Sequence, residues 1–492
     1  MSNKNLKQKA VSGMIWTALQ KYSKMGIQFI SGIILARLLT PYDYGCIGML
    51  MIFISLAEVF IDGGFGSALI QKKRPTQTDY STIFWWNIAV SVVMYALLYI
   101  SAPAISRFYH IPLLQDVLRV QGLVLFIYAL NIIQSNQLRK KLNFKLLSIV
   151  SISTTVISLT ITILMAYKGF GVWSLVTQNL IVAAIPSIVF WFYVKWRPTR
   201  TFSWVSFKEL FSFGIYVFFT HILDKVNARI NGLLIGKFYD PTVMGYFSKA
   251  GSTERLASSS ISQIMTQVTY PLYAEVQDNK KAMQNMIKRL TMTISYITFP
   301  LMFVLMLCAK PIFILLYSDR WLPSVPYFQM LCIAGLAYCI SSVNLQTISA
   351  IGKSNVMFGW SVAKIINSIS FSVCGLVLFG IKGLVMASVY SMWFVLFINI
   401  CLVSKYIGYK WYKQIQDILP VGIVSVIAAF VSYGCGYLLG FSLYLDGIVK
   451  FLVFIFFYLG WSFFFKPEAY NYFLSIIPFG RRKKIHKNNT NI

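Results

Sequence analysis

The chain alternates between long apolar stretches and short polar connections. A membrane-spanning helix needs about 20 mostly apolar residues, and a window of that length finds such stretches from residue 10 to residue 466. Turn signals such as Thr40-Pro41-Tyr42-Asp43 and Tyr239-Asp240-Pro241 separate several of them. The connections are too short to hold a soluble domain. The pattern therefore predicts an all-α polytopic membrane protein with about 14 transmembrane helices.

Composition indicates the same class. The residues are 57% hydrophobic and only 12% charged, whereas soluble proteins carry roughly 25% charged residues. A net charge of +29 would suggest nucleic-acid binding in a soluble chain. Cytoplasmic loops of membrane proteins collect Lys and Arg, so we expect no nucleic-acid partner. The seven cysteines form no CxxC or Cys/His cluster, and we therefore expect neither a metal site nor a bound cofactor.

The distribution of basic residues predicts the orientation. With a cytoplasmic N-terminus and alternating loops, about 28 Lys and Arg fall on the cytoplasmic side and about six on the other. An even number of helices then places both termini in the cytoplasm. Most of the positive charge is therefore explained by topology.

The two halves of the chain repeat each other. Residues 32–37, followed by Pro41 and Gly45, match residues 232–237, followed by Pro241 and Gly245. Each half holds six predicted helices, so both enter the membrane in the same direction, as in parallel-repeat transporters with alternating access to a central cleft. The sequence predicts an N-terminal bundle at 1–200, a second bundle at 201–407, two extra helices at 408–470 and a basic tail at 471–492.

Several charged residues lie inside predicted helices. A charge at mid-membrane costs at least about 2.5–3.5 kcal/mol on insertion scales, so such residues face a cavity or a partner. Ion pairs between helices, or snorkelling to the interface, would explain some of them. The cations outnumber Glu58, Asp62, Asp224 and Glu254, which favours a positively charged lumen for a diphosphate or acidic sugars. The candidate substrate-binding residues are Lys21, Lys24, Lys225, Arg229, Arg255 and Lys364.

The second predicted helix ends in a glycine-rich segment, Ile61-Asp62-Gly63-Gly64-Phe65-Gly66. Glycine weakens helices, and unwound backbone is tolerated in a membrane only against protein or a water-filled cavity. We interpret Gly63, Gly64 and Gly66 as a hinge or a site of close helix approach. A phosphate-cradling loop would need a GxGxxG or Walker pattern, and neither is present.

Four motifs stand out along the chain: residues 60–71, Leu138-Arg139-Lys140-Lys141-Leu142-Asn143-Phe144, residues 169–176, and Arg320-Trp321-Leu322-Pro323. They resemble Wzx-type polysaccharide and O-antigen flippases of the multidrug/oligosaccharidyl-lipid/polysaccharide exporter superfamily. The resemblance implies two six-helix bundles around a V-shaped cleft, plus two C-terminal helices. It also implies translocation of undecaprenyl-diphosphate-linked oligosaccharide across a bacterial inner membrane for lipopolysaccharide or exopolysaccharide synthesis, alongside polysaccharide polymerase machinery.

The resemblance further suggests coupling to a proton or sodium gradient, with Glu58, Asp62, Asp224 and Glu254 as candidates. Three alternatives stay open. A lipid-linked peptidoglycan precursor flippase would share the cationic lumen. A multidrug exporter of the same superfamily would be expected to have an acidic or apolar lumen. A membrane glycosyltransferase, polymerase or ligase would need a large outer loop with catalytic residues, so a transporter is expected rather than an enzyme.

Overall fold

The computed structural model describes residues 3–276, 279–351, 354–440 and 442–476, and the regular elements in this part of the chain are all helices. Most of the predicted basic tail, residues 477–492, lies outside it, as does Lys353. The all-α class predicted from the sequence is confirmed. The chain divides into two compact units, residues 1–248 and 249–492. The bundle boundaries near residues 200 and 407 stay predictions.

The described part of the first unit contains nine helices and the start of a tenth. Their bounds are α1 Asn3–Leu38, α2 Pro41–Asp62, α3 Phe65–Gln71, α4 Gln77–Tyr109, α5 Leu113–Gln121, α6 Val124–Lys140, α7 Phe144–Tyr167, α8 Val172–Tyr193, α9 Trp204–Phe238 and α10 Pro241–Val276. α1 packs on α7, α7 on α8, and α2 on α9. α10 crosses the division between the units.

In the described part of the second unit, α10 is followed by seven further helices and one short 3-10 turn at Asp319–Ser324. Their bounds are α11 Lys280–Leu307, α12 Ala309–Tyr317, α13 Val325–Ala350, α14 Ser354–Ile407, α15 Trp411–Leu439, α16 Leu443–Phe465 and α17 Glu468–Ile476. α13 packs on α11 and α14, and α15 packs on α11 and α16.

Ten helical segments within the described residues are long and apolar enough to cross a membrane, which makes the chain a multi-pass membrane protein. α1, α9 and α10 are outside this set. They are also the helices that carry Lys21 and Lys24, the 224–229 charges, and Glu254 with Arg255. The count of 14 transmembrane helices therefore stays a prediction.

The long helix α14 reverses direction at Phe379 and Gly380, where the backbone leaves helical geometry. A Cβ on Gly375 would lie 2.4 Å from the carbonyl oxygen of Gly383. Residues eight positions apart in a straight helix are separated by about 12 Å along its axis, so the two arms must fold back on each other. Asn367 Nδ2 donates to Ser391 Oγ at 2.8 Å across the same turn.

Two repeat-matched glycines contact each other's helix starts in the first unit. A Cβ on Gly45 of α2 would lie 1.8 Å from the carbonyl oxygen of Pro241. A Cβ on Gly245 of α10 would lie 1.9 Å from the carbonyl oxygen of Pro41. Both obstacles are backbone atoms, which cannot rotate away as a side chain can. The glycines matched in the sequence repeat therefore allow a reciprocal close approach of α2 and the first turn of α10.

A polar network holds α17 against the second unit. Lys288 Nζ of α11 lies 2.8 Å from Glu468 Oε2 of α17 and 3.7 Å from Asp417 Oδ1 of α15. The hydroxyl of Tyr472 donates to Glu468 Oε1 at 2.6 Å. Glu468 is therefore the acceptor that joins α17 to α11.

We expect acid to loosen α17. Partial burial acts to raise the pKa of Glu468, but hydrogen bonds from Lys288 and Tyr472 outweigh it, so the pKa lies below its usual value of 4.5. A lowered folded-state pKa stabilises the contact above the unfolded value, and this contribution is lost as the pH falls through the folded value. Hydrogen exchange of the α17 amides, corrected for intrinsic rates, should be constant from pH 7 to pH 5 and should quicken below about pH 4.5.

The substitution Glu468→Gln tests the same contact without acid. It should quicken exchange of the α17 amides already at pH 7, because it removes the charge that pairs with Lys288. Unchanged exchange in this variant, together with no acceleration in acid, would show that the network does not hold α17.

Candidate functional site

A polar cavity of about 710 Å³ lies among α1, α2 and α5 to α8 of the first unit. Its lining combines apolar walls with two basic side chains, one carboxylate and many amide and hydroxyl groups. The polar lining residues are Thr17, Gln20, Lys24, Glu58, Gln121, Tyr128, Asn131, Ser135, Arg139, Ser151, Thr154, Thr155 and Asn179. Such a lining offers both charge and hydrogen bonds to a large polar molecule.

A smaller cavity of about 360 Å³ adjoins it and adds Asp62, His221 and Lys225. The two are contiguous because they share lining residues, among them Glu58 and Arg139. We call the two together the charged cavity. Three cations, Lys24, Arg139 and Lys225, face two carboxylates there.

Glu58 stands on α2 opposite α9. The charges of Lys225 and then Arg229 act on its carboxylate. Lys225 and Arg229 are four residues apart and therefore share one face of α9. The sequence pattern predicted this shared face. In the structure, the charges on this face act on Glu58 of α2. Lys24 lines the same cavity and, like Glu58 and Lys225, is in no ion pair among the described residues.

Asp62, the last residue of α2, is held by the glycine segment that follows. The backbone N–H groups of Gly64 and Gly66 donate to its carboxylate, and the His221 and Arg139 side chains are nearby. Gly63 and Gly64 have φ values of 55° and 76°, in the left-handed region that favours glycine. This turn directs amides back toward the carboxylate. A Cβ on Gly66 would lie 2.8 Å from Asp62 Oδ1, so glycine leaves room for the contact.

The same segment brings α9 close and begins a new helix. A Cβ on Gly64 would lie 2.2 Å from the carbonyl oxygen of Gly214 on α9. α3 then runs from Phe65 to Gln71. Lys140 of α6 donates to the carbonyl oxygens of Leu69 at 2.9 Å and Ile70 at 3.3 Å, and also to that of Lys72. This lysine therefore caps the C-terminus of α3 and is already committed to structure.

Part of this site lies on α6 and was not predicted from the sequence. Tyr128, Asn131, Ser135 and Arg139 all line the charged cavity. They recur at spacings of three and four residues, which places them on one face of a helix. A polar stripe through an otherwise apolar helix was the signal that could have found them. In the sequence, Arg139 was part of the motif at residues 138–144 and was not predicted to bind substrate.

The predicted site residues of the first unit do not all meet. Lys24, Lys225, Glu58 and Asp62 line the charged cavity, and Arg229 acts on Glu58. Lys21, half-buried and one turn before Lys24, lies outside the cavity lining. Asp224 is exposed on α9 and is also outside it. The roles of all these residues stay predictions.

The second unit holds the remaining predicted residues. Glu254 of α10 is 7% exposed, hydrogen-bonds Ser258, and has Arg255 as its charged neighbour. Its Oε1 atom has no hydrogen-bond partner among the described residues and lies beside Gly335 of α13. Arg255 is exposed and Lys364 of α14 is half-buried. No group of three or more metal-ligating side chains occurs in the part of the chain described.

Comparison with known proteins finds relatives named for polysaccharide biosynthesis. The chain is 24% identical to the teichuronic acid biosynthesis protein TuaB of Bacillus subtilis over 72% of this chain and 74% of that protein. It is 21% identical to the lipopolysaccharide biosynthesis protein WzxC of Escherichia coli over 73% of this chain and 74% of that protein. The resemblance to Wzx-type proteins is therefore confirmed.

A solved structure of the lipid II flippase MurJ, in an inward closed conformation, matches 93% of this chain and 99% of its own length with a TM-score of 0.73. At 16% sequence identity this likeness shows a shared fold. A family profile described as polysaccharide biosynthesis protein matches residues 34–326, which is more than half of the chain. The chain belongs to the polysaccharide biosynthesis protein family.

Proposed function

We propose that this protein is a flippase, not an enzyme, that moves undecaprenyl-diphosphate-linked oligosaccharide units from the cytoplasmic to the outer leaflet of a bacterial inner membrane. The observation that carries the proposal is the charged cavity, where Lys24, Arg139 and Lys225 outnumber Glu58 and Asp62 inside a helical membrane bundle. Cations in such a place are costly without an anionic partner. A diphosphate supplies one, and the surrounding amides and hydroxyls suit sugar hydroxyls.

The lining suggests an order of contacts. Arg139 is exposed near the end of α6 that the basic-residue count predicts to be cytoplasmic. Its guanidinium can make two parallel hydrogen bonds to a phosphate, so it meets the diphosphate first. Lys24 and Lys225 hold the diphosphate further inside. The lipid tail stays in the bilayer, and opening of the cleft to the other side, as in other parallel-repeat transporters, releases the head group.

Glu58 offers a link between substrate and an ion gradient. It shares the field of Lys225 and Arg229 with any bound anion. When the diphosphate takes over these cations, Glu58 loses its counter-charges, and proton uptake on its carboxylate restores neutrality. We propose that Glu58, with Asp62 beside His221, is the coupling site in this unit. The buried Glu254 is the corresponding candidate in the second unit, and sodium is the alternative ion.

The nearest alternatives differ in what the cavity must hold. A lipid-linked peptidoglycan precursor carries the same diphosphate, and only its glycan and peptide differ. If the protein were a multidrug exporter for cationic compounds, the three cations of the charged cavity would repel its substrate. Membership of the polysaccharide biosynthesis family favours the oligosaccharide substrate, with polymerase machinery as the partner that receives it.

Deletion of the gene in its host tests the proposal. Surface polysaccharide should disappear while the lipid-linked oligosaccharide accumulates on the cytoplasmic side, and the intact gene should reverse both effects. Normal surface polymer in the deletion strain, with increased sensitivity to cationic drugs, would contradict the proposal and support the exporter.

A further inference from the structure

A second large pocket, of about 980 Å³, lies in the first unit where α4 begins and where α6 and α8 end. It shares no lining residue with the charged cavity. Those helix ends all lie on the side that the basic-residue count predicts to be cytoplasmic. The pocket is therefore a separate feature at the membrane–water boundary and plays no part in the route proposed above.

The pocket is positively charged. Three lysines and no acidic residue line it in the described chain. Lys140 is committed to the carbonyl groups that end α3. Lys141 and Lys195 are exposed and form no ion pair among the described residues. Two ammonium groups on different helix ends are thus free to bind an anion.

The acidic groups closest in sequence are already occupied. Asp79 of α4 lies between two lining residues, Gln77 and Tyr80. It pairs with Lys72 at 3.1 Å and accepts the backbone N–H of Thr76 at 2.8 Å. Lys72 also pairs with Glu209 at 2.8 Å. The two carboxylates share Lys72, and neither forms an ion pair with Lys141 or Lys195 among the described residues.

Aromatic side chains and a hydrogen-bond donor complete the lining. Trp196 and Tyr80 both line the pocket, with their rings 6.1 Å apart. The Nε1–H of Trp196 is buried and donates to no atom of the described residues. Buried indole N–H groups usually find a partner. Trp and Tyr at this level are typical of the headgroup region of a bilayer, so the pocket combines cations, a spare donor and interface aromatics.

The walls of the pocket are held in place. Arg197 donates to the carbonyl oxygens of Val194 and Trp191, each at 2.7 Å, which fixes the chain leaving α8. Gln77 Nε2 donates to the carbonyl oxygen of Arg197 at 2.7 Å, which ties α4 to that chain. The cations and the indole therefore stand on a preformed frame.

We propose that this pocket binds the phosphate of an anionic phospholipid headgroup at the cytoplasmic surface. Lys141 and Lys195 pair with the phosphate, and the glycerol backbone lies against Trp196 and Tyr80. Basic pockets between transmembrane helices on this side suit anionic lipid headgroups. The bound lipid would fasten the ends of α6 and α8 together. The lipid-linked diphosphate is a second source of the same chemistry, and the experiment separates the two.

The test is native mass spectrometry of the delipidated full-length protein titrated with phosphatidylglycerol, with phosphatidylcholine as the neutral reference. A basic residue near a lipid surface contributes about 1 kcal/mol to such binding. The double variant Lys141→Gln/Lys195→Gln should therefore bind phosphatidylglycerol about 10- to 30-fold more weakly. The matched control Lys73→Gln/Lys208→Gln removes two exposed lysines of the same unit. Neither lines the pocket, and solvent screens charges that do not touch the headgroup, so binding should change less than about twofold.

Two further measurements identify which molecule supplies the bound phosphate and check that the variants fold. Undecaprenyl diphosphate and inorganic pyrophosphate are titrated in place of phosphatidylglycerol, and both should bind the pocket more weakly than the phospholipid. The variant Trp196→Phe keeps an aromatic ring, removes the donor and should weaken phosphatidylglycerol binding. Trp196 also packs against buried apolar residues, so the melting temperature of the variant is measured alongside to check its folding. Equal losses in the two double variants, or pocket-dependent binding of undecaprenyl diphosphate without phosphatidylglycerol, would overturn the proposal.

Discussion

Replacing Gly45 with alanine is expected to destabilise the protein strongly. The new Cβ would lie 1.8 Å from the carbonyl oxygen of Pro241, and backbone can yield only by shifting a helix. Overpacking typically costs 1–3 kcal/mol, and we expect about 3 kcal/mol or more here. A thermal unfolding scan of the purified protein in detergent should show a marked fall in the apparent melting temperature.

The variant Gly32→Ala is the matched control. Gly32 lies inside α1, and a Cβ there would meet no heavy atom within 4 Å. Alanine is the better helix former by about 1 kcal/mol, so this protein should melt at the wild-type temperature or slightly above it. Gly245→Ala should behave like Gly45→Ala, because Gly245 approaches the carbonyl oxygen of Pro41 as closely as Gly45 approaches that of Pro241. Wild-type melting in both repeat-matched variants would contradict the reciprocal contact.

Replacing Lys24 with glutamine is expected to reduce polysaccharide export at least tenfold at unchanged protein level. Lys24 lines the charged cavity and is in no ion pair among the described residues. A hydrogen bond to a charged group contributes about 1.5–3 kcal/mol, which corresponds to about 10- to 150-fold in affinity. The measurement is surface polysaccharide per cell in a deletion strain that carries the variant gene.

Lys21→Gln is the control for this effect, and it tests the role predicted for Lys21 from the sequence. The two lysines lie one turn apart on α1, but only Lys24 lines the charged cavity. The Lys21 variant should retain most of the export. Equal export by the two variants would contradict the role given to the cavity, because the change in net charge is the same in both.

The fold was largely predictable because a membrane leaves few choices. Spanning segments must satisfy their backbone groups internally, so long apolar stretches become helices. The break at Gly63 and Gly64 was also visible, since glycine is the residue that tolerates the left-handed turn. The docking of α17 was not predicted, because it depends on Lys288 and Asp417, which are far from Glu468 in sequence.

The site was predictable only in part. Charged residues inside apolar segments could be recognised in the sequence, because a charge inside the membrane is costly in free energy and therefore rare. The four-residue spacing of Lys225 and Arg229 predicted that they share one face of a helix. The partners of these charges could not be found in this way. The carboxylate of Asp62 accepts hydrogen bonds from the backbone amides of Gly64 and Gly66. Arg139 lines the charged cavity although it lies in the last turn of α6. The position of a residue in the sequence does not reveal which way its side chain points. For this reason the sequence could not show that Lys24 lines the charged cavity and Lys21 does not.

We propose that the charged cavity carries a lipid-linked diphosphate oligosaccharide across the membrane. The most direct measurement is translocation of a fluorescent undecaprenyl-diphosphate oligosaccharide in proteoliposomes, with and without a proton gradient, for the wild-type protein and for Lys24→Gln. We expect protein-dependent translocation that the gradient accelerates and that the variant loses. Equal translocation by protein-free and protein-containing vesicles, with uptake of a cationic drug only in the latter, would contradict the account.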